Sequence, residues 1–238
     1  MRWPWCFGLC FLGTVALGQQ KNFISCPIVR DTKTAPCFLA EYDGELYYLG
    51  IQQDAGSEFH PPQLKHQVLV EGSVVTGPRV CGGIPLQPVS ISVLKEVNLA
   101  CNTLLPPEPG FDAPVVPRAS EPSSASLTGK QEFKILYAFD DDFLDYAGNQ
   151  MVTEAAAYAK RMVSSNVKVS GYRATTILSN GEKLTEKTGI AEKRTQNIAT
   201  ILRGLGVSGV TAESKAEPEP GDGKTDPSRR RVTILVTP

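Results

Sequence analysis

Asn166-Val-Lys-Val-Ser-Gly-Tyr172 is followed, after a polar loop, by Thr188-Gly-Ile-Ala-Glu-Lys-Arg-Thr-Gln-Asn-Ile-Ala-Thr-Ile-Leu-Arg-Gly-Leu205. Between the two pieces the spacing of apolar residues changes from two to the helical three-to-four. In the first, Val167 and Val169 alternate with Lys168 and Ser170, the pattern of a strand with one buried face. In the second, Ile190, Ile198, Ile201, Leu202 and Leu205 fall on one side of a helix, and Gly204 and Gly206 mark its end.

The same alternation of elements extends outward. Upstream, Phe133 to Phe139 reads as a strand. Gly148 to Val163 reads as a helix with Met151, Val152, Ala155, Ala156, Ala159, Met162 and Val163 on one broad face. Downstream, Val207 to Ala212 and Arg231 to Val236 are short strands. The predicted order is βαβαββ, an α/β sandwich with its helices on one face of a sheet.

Further upstream the composition changes. Residues 106–129 carry Pro106, Pro107, Pro109, Pro114, Pro117 and Pro122, then a Ser-rich run from Ser120 to Ser126. Such a segment cannot bury enough apolar surface to fold alone. In an extended proline-rich state, at ~3.1 Å per residue, it reaches up to about 70 Å. It is expected to be a protease-sensitive linker between two separately folding halves.

The first half, residues 19–105, reads as all-β. Cys37-Phe-Leu-Ala-Glu41 and Glu45-Leu-Tyr-Tyr-Leu-Gly-Ile51 flank the hairpin signal Tyr42-Asp43-Gly44. Gln67 to Val75 and Val89 to Leu94 are further strands, with Gly82-Gly83-Ile84-Pro85 breaking the chain between them. A small barrel or sandwich fits, OB-like in one arrangement, and this half shows no family resemblance. The overall class is therefore α+β.

Residues 1–18 have the form of a signal peptide: Arg2, an apolar run from Trp3 to Leu12, and small residues at Ala16 and Gly18. The apolar run is shorter than the ~20 residues a membrane span needs, and the mature chain is expected to have no span. Cys6 and Cys10 leave with the signal. Cys26, Cys37, Cys81 and Cys101 remain, an even number in an exported chain, which predicts two disulfides. The local pairings Cys26–Cys37 and Cys81–Cys101 are favoured because each closes a short loop; the crossed pairings stay open. Neither His60 nor His66 has zinc-motif spacing to these cysteines.

The C-terminal motifs carry a resemblance. Phe139-Asp140 ends a strand, and Val167-x-Val169-x-Gly171 ends another. Ile190-Ala-Glu-Lys-Arg194-Thr195 opens a helix, Leu205-Gly206-Val207 follows it, and Arg229-Arg230-Arg231-Val232 starts the last strand. In order and spacing this is similar to the OmpA-like, peptidoglycan-associating domain, over residues 130–238. The resemblance implies binding of the diaminopimelate of a peptidoglycan stem peptide. In that family an Asp pairs with the ligand ammonium and an Arg with its carboxylate, and a forked guanidinium suits a carboxylate. The Arg falls on Arg194. The Asp falls on Ala174, and the following loop, Thr175 to Lys187, is about five residues longer than the family's spacing.

The candidate ligand-binding residues are thus Arg194, Thr175, Arg230 and Arg231. Glu182 or Glu186 of the long loop is a substitute for the missing Asp. Arg194 has a structural alternative: lying between Ile190 and Ile198 on the buried stripe, it would need a buried partner. Asp140-Asp141-Asp142 and Asp145 lack the glycine spacing of a calcium loop and read as an acidic helix entry.

The net charge of −1 speaks against nucleic-acid binding. No catalytic motif is present, and no cofactor or metal is implied. The expected function is non-catalytic: a periplasmic envelope protein that associates with peptidoglycan, weakly or with altered specificity, and tethers its β domain to the wall. An outer-membrane or periplasmic protein is a further expected partner. The alternative is a soluble periplasmic protein-interaction module whose OmpA-like domain does not bind the wall.

Overall fold

The computed structural model describes residues 18–51, 61–107, 129–162 and 166–238. The expected signal segment before Gly18, His60, most of the expected linker, and Val163 lie outside the described residues.

The first half consists of β1 (Gln20–Ser25), β2 (Pro27–Arg30), β3 (Cys37–Tyr42), β4 (Glu45–Ile51), β5 (His66–Val74), β6 (Ile84–Val97) and β7 (Thr103–Leu105). They form one seven-stranded sheet in the order β1-β5-β6-β4-β3-β2-β7. The β3–β4 hairpin turns through Asp43 and Gly44, at φ 55° and 74°, the paired left-handed conformation a tight hairpin needs. Strand β6 joins the two parts of the sheet. Ile84 and Pro85 pair with Tyr47 and Tyr48 of β4, and from Leu86 onward the strand pairs with β5. The chain break expected at 82–85 is therefore confined to the turn before Ile84. Gly83 has to be glycine there, because a Cβ would lie 2.6 Å from the Tyr48 nitrogen. Phe23, Phe38, Ala40, Tyr47, Leu49, Val68, Val70 and Leu86 form the core. Strand β1 was not expected from its polar start, Gln20-Lys-Asn22; it forms because it pairs antiparallel along β5.

The disulfides are Cys26–Cys101 and Cys37–Cys81, with Cα–Cα distances of 4.8 and 6.4 Å, which corrects the local pairing. Strand β2 runs parallel to β7, with Ile28 opposite Thr103, so the residues just before each strand, Cys26 and Cys101, meet. Cys37 opens β3, and Cys81 lies in the turn whose Gly83 presses on Leu39 of that strand. Loop length along the chain ranked the pairings wrongly because the sheet brings distant segments together. Peptide mapping of the unreduced protein is expected to return these two linkages and no free thiol among the four. A fragment joining Cys26 to Cys37 would restore the local pairing.

The second half contains β8 (Gln131–Leu136), α1 (Tyr146–Arg161), β9 (Asn166–Gly171), β10 (Thr175–Ile177), β11 (Lys183–Thr185), α2 (Ile190–Gly204), β12 (Val210–Ser214), α3 (Asp226–Arg229) and β13 (Arg231–Thr237). The main sheet has the order β12-β9-β13-β8, with β9 and β12 parallel. Val152, Ala155, Ala156 and Ala159 of α1 and Ile198, Ala199 and Leu202 of α2 pack on Ile135, Val167, Val169, Val232, Ile234 and Val236 of the sheet. Gly171 lets α2 settle on β9: a Cβ there would overlap Thr195 Oγ1 and the Ala191 carbonyl. Helix α1 starts two residues before the expected Gly148 because Asp145 caps it, Oδ1 accepting from the Gly148 amide at 2.6 Å. The simple βαβαββ order is extended by two additions. The long loop folds into the β10–β11 hairpin, and α3 precedes β13.

The two halves pack against each other. Leu69 of β5 packs with Phe139 and Leu178 in a shared cluster that Ile24, Leu94 and Leu184 extend. The Asn22 amide donates to Ser179 Oγ at 2.9 Å, and the Ser179 amide donates to the Asn22 carbonyl at 2.7 Å. Asn22 Nδ2 donates to the carbonyls of Ile177 and Gly223, each at 2.9 Å. The hairpin loop thereby covers the outer edge of β1, an edge that would otherwise present unpaired backbone groups.

Candidate functional site

Arg194 is 0% exposed, on the buried face of α2 one turn from Ile190 and one from Ile198. A buried guanidinium has five N–H donors to satisfy. Nε donates to the Asp141 carbonyl at 2.7 Å, and Nη1 donates to Glu186 Oε2 at 3.3 Å and to the Tyr172 carbonyl at 3.4 Å. Nη2 donates to Glu186 Oε1 at 2.6 Å and to the Ala138 carbonyl at 3.0 Å. The Tyr137 ring lies under the guanidinium, 4.7 Å from its centroid. Burial pushes the Tyr137 hydroxyl well above its ordinary value, with the Arg194 charge opposing.

Glu186 is equally enclosed. Its Oε1 also accepts from the Asp140 amide at 3.0 Å, and its Oε2 from the Ala174 amide at 2.9 Å. One guanidinium and two backbone amides thus surround a carboxylate on all sides. This is the donor set that a carboxylate ligand of Arg194 would use, and the chain fills it with its own side chain. Ala174, where the resemblance placed an Asp, is fully buried and has no side-chain donor or acceptor to offer. Glu186 does reach the site from the long loop, but it faces the arginine instead of replacing the Asp opposite an ammonium. Glu182 stays exposed near the hairpin tip.

Arg230 is also 0% exposed, and it belongs to a second pair that spans the two halves. Nη1 donates to Glu71 Oε1 at 3.0 Å and Nη2 to Glu71 Oε2 at 2.5 Å. Thr176 bridges them, accepting from Arg230 Nη1 at 2.9 Å and donating to Glu71 Oε1 at 3.1 Å. Glu71 was not singled out from the sequence. Its signal was a lone carboxylate in the otherwise apolar Val68-Leu-Val-Glu71 of a central strand.

The other two candidates are elsewhere. Arg231 is part-buried beside Tyr172, its guanidinium 4.1 Å from the ring centroid and forked onto Glu219 with both contacts at 2.8 Å. The Glu219 hydrogen bond holds the Arg231 guanidinium above its ordinary value. Thr175 pairs its hydroxyl with Thr185 across the hairpin at 2.9 Å. Arg194, Thr175, Arg230 and Arg231 therefore do not converge on one pocket.

The acidic run is spent on local structure. Asp140, at φ 54°, accepts from the Lys187 amide at 2.6 Å. Asp142 pairs with Lys193 at 3.0 Å. Burial works to raise the Asp142 carboxyl, and the Lys193 hydrogen bond and charge outweigh it and hold the group below its ordinary value. Among the described residues there is no group of three His, Cys, Asp or Glu arranged for a metal ion, and no helix is long and apolar enough to cross a membrane.

No protein-family profile matches this chain, and no characterised protein matches it in sequence. Among solved structures, the chain is similar to the OmpA-like domain of FopA1 from Francisella tularensis, at 21% identity and a TM-score of 0.36, over 46% of this chain and 73% of that one. It is similar to the peptidoglycan-associated lipoprotein from Burkholderia pseudomallei, at 17% identity and a TM-score of 0.36, over 44% and 90% of the respective chains. The periplasmic domain of Helicobacter pylori MotB matches at 14% identity and a TM-score of 0.35, over 48% and 84%.

Proposed function

We propose that this chain is a non-catalytic protein of the bacterial cell envelope, exported by residues 1–18 and working in the periplasm as a protein-interaction module. In this reading residues 130–238 are an OmpA-like domain that joins the β domain of residues 19–105 in one body, with residues 106–129 as the connecting linker. The OmpA-like domain does not hold a diaminopimelate stem peptide through Arg194. The observation that supports this is the saturation of Arg194: Glu186 and three backbone carbonyls occupy its whole donor fork. Displacing Glu186 would leave a buried carboxylate without its charge partner, which costs far more than one ligand hydrogen bond returns. The partner is then a protein of the periplasm or outer membrane.

Purified peptidoglycan sacculi test it. The full mature protein is expected to remain in the supernatant at low and physiological salt. Saturable pelleting that a free stem peptide competes away would overturn this reading and restore wall association as the function.

A further inference from the structure

We infer that docking of the β domain holds the Glu186–Arg194 site shut, with the β10–β11 hairpin as its clasp. The inference takes the closed site as its starting point and concerns what keeps it closed.

Two chain segments enclose Arg194 and Glu186, and the β domain backs both of them. The first is 138–141, which supplies the carbonyls of Ala138 and Asp141 to the arginine and the Asp140 amide to the carboxylate. Between these residues lies Phe139, whose amide donates to Ser92 Oγ of β6 at 2.8 Å and whose ring packs on Leu69.

The second segment is 174–186. Ala174 and Glu186 are the two residues flanking the hairpin, and the Glu186 amide closes its neck by donating to the Ala174 carbonyl at 3.1 Å. Beyond its first rung, Thr175–Thr185, the hairpin leans on the β domain. Thr176 sits in the Glu71–Arg230 pair, Leu178 and Leu184 enter the shared apolar cluster, and Ser179 exchanges two hydrogen bonds with Asn22. Toward its own half the hairpin has its Thr175 amide on the Glu219 carbonyl and its Ile177 amide on the Asp226 carboxylate. A carboxylate held at the foot of a hairpin is positioned by whatever holds the hairpin. Here much of that support comes from the other half of the molecule. Release of the β domain, for instance when a partner takes its hairpin-facing edge, loosens both walls of the site together.

Amide hydrogen exchange on the full-length protein tests the coupling. Asn22→Asp keeps the side-chain volume but turns a carboxylate oxygen toward the Ile177 and Gly223 carbonyls, where the native amide donates. The expected result is exchange faster by about tenfold or more at the Ser179 amide and, with it, at Asp140 and Ala174, the two amides that bind Glu186. Val169 and Ile234 in the central sheet are expected to stay unchanged. If Ser179 accelerates while Asp140 and Ala174 keep their protection, the clasp is overturned. Asn22→Ala, which removes the two donated bonds without adding charge, gives the same readout should the aspartate variant fail to fold. Pelleting of the wild-type protein with sacculi would overturn the closed site, whereas uncoupled exchange would overturn the clasp alone.

Discussion

Arg194→Ala is expected to destabilise the protein by ~3–5 kcal/mol, the cost of breaking a fully buried ion pair by removing one partner. The loss comes mainly from what stays behind. Glu186 keeps its two backbone amides but loses both guanidinium contacts in a fully buried site, the Asp141 carbonyl loses its donor, and the Ala138 carbonyl keeps only the Asp141 amide. Arg194→Lys is expected to recover only part of this, because an ammonium is a single point and cannot reach five acceptors spread around a plane. Arg194→Met combined with Glu186→Leu is expected to recover part of the stability: it removes both buried charges but leaves the Asp140 and Ala174 amides and the Asp141 carbonyl without these partners. Urea unfolding of the two single variants and the double variant makes the comparison. An Arg194→Ala protein as stable as wild type would mean that the arginine is solvated and open to ligand, and the proposed function would fall with it.

Arg230→Ala is the second large effect, again ~3–5 kcal/mol, and it differs in kind. Glu71 lies on β5 of the first half and Arg230 just before β13 of the second, so the pair ties the halves together. In the wild-type protein both halves are expected to melt in a single calorimetric transition. In Arg230→Ala, Glu71 is left buried without a counter-charge and the interface has to open to hydrate it. Two transitions are then expected. A protease site introduced within residues 108–128 gives an independent reading. The cut wild-type halves are expected to co-elute in gel filtration, held by the Asn22, Ser92, Leu69 and Glu71 contacts, and the cut Arg230→Ala halves to separate. Separation of the cut wild-type halves would return the molecule to two bodies on a tether.

Much of the architecture can be read directly from local pattern. The alternation in Val167-Lys-Val-Ser170 and the helical stripe of Ile190, Ile198 and Leu202 correspond to β9 and α2, because period two and period three-to-four each bury only one face. Asp43-Gly44 marks the β3–β4 hairpin because two consecutive left-handed residues suit few side-chain types. The position of Arg194 on the apolar stripe also showed that, as a structural residue, it would need a buried partner.

What the local pattern could not supply was the identity of each partner. Glu182 and Glu186 were equal candidates along the chain, and only the folding of 175–185 into a hairpin carried Glu186 to the arginine and left Glu182 at the surface. Arg230 was a ligand-binding candidate along the chain, and the first half brought Glu71 to it, 159 residues away. The cysteines behaved the same way: an even number after residue 18 predicts two disulfides from sequence alone, while the parallel β2–β7 pairing selected Cys101 for Cys26. Strand and helix periodicity follow from the stereochemistry of neighbouring residues, so the sequence by itself determines them. Ion pairs, disulfides and the contact between the halves join residues far apart in the chain, and only the tertiary structure decides which of several chemically equivalent partners arrives.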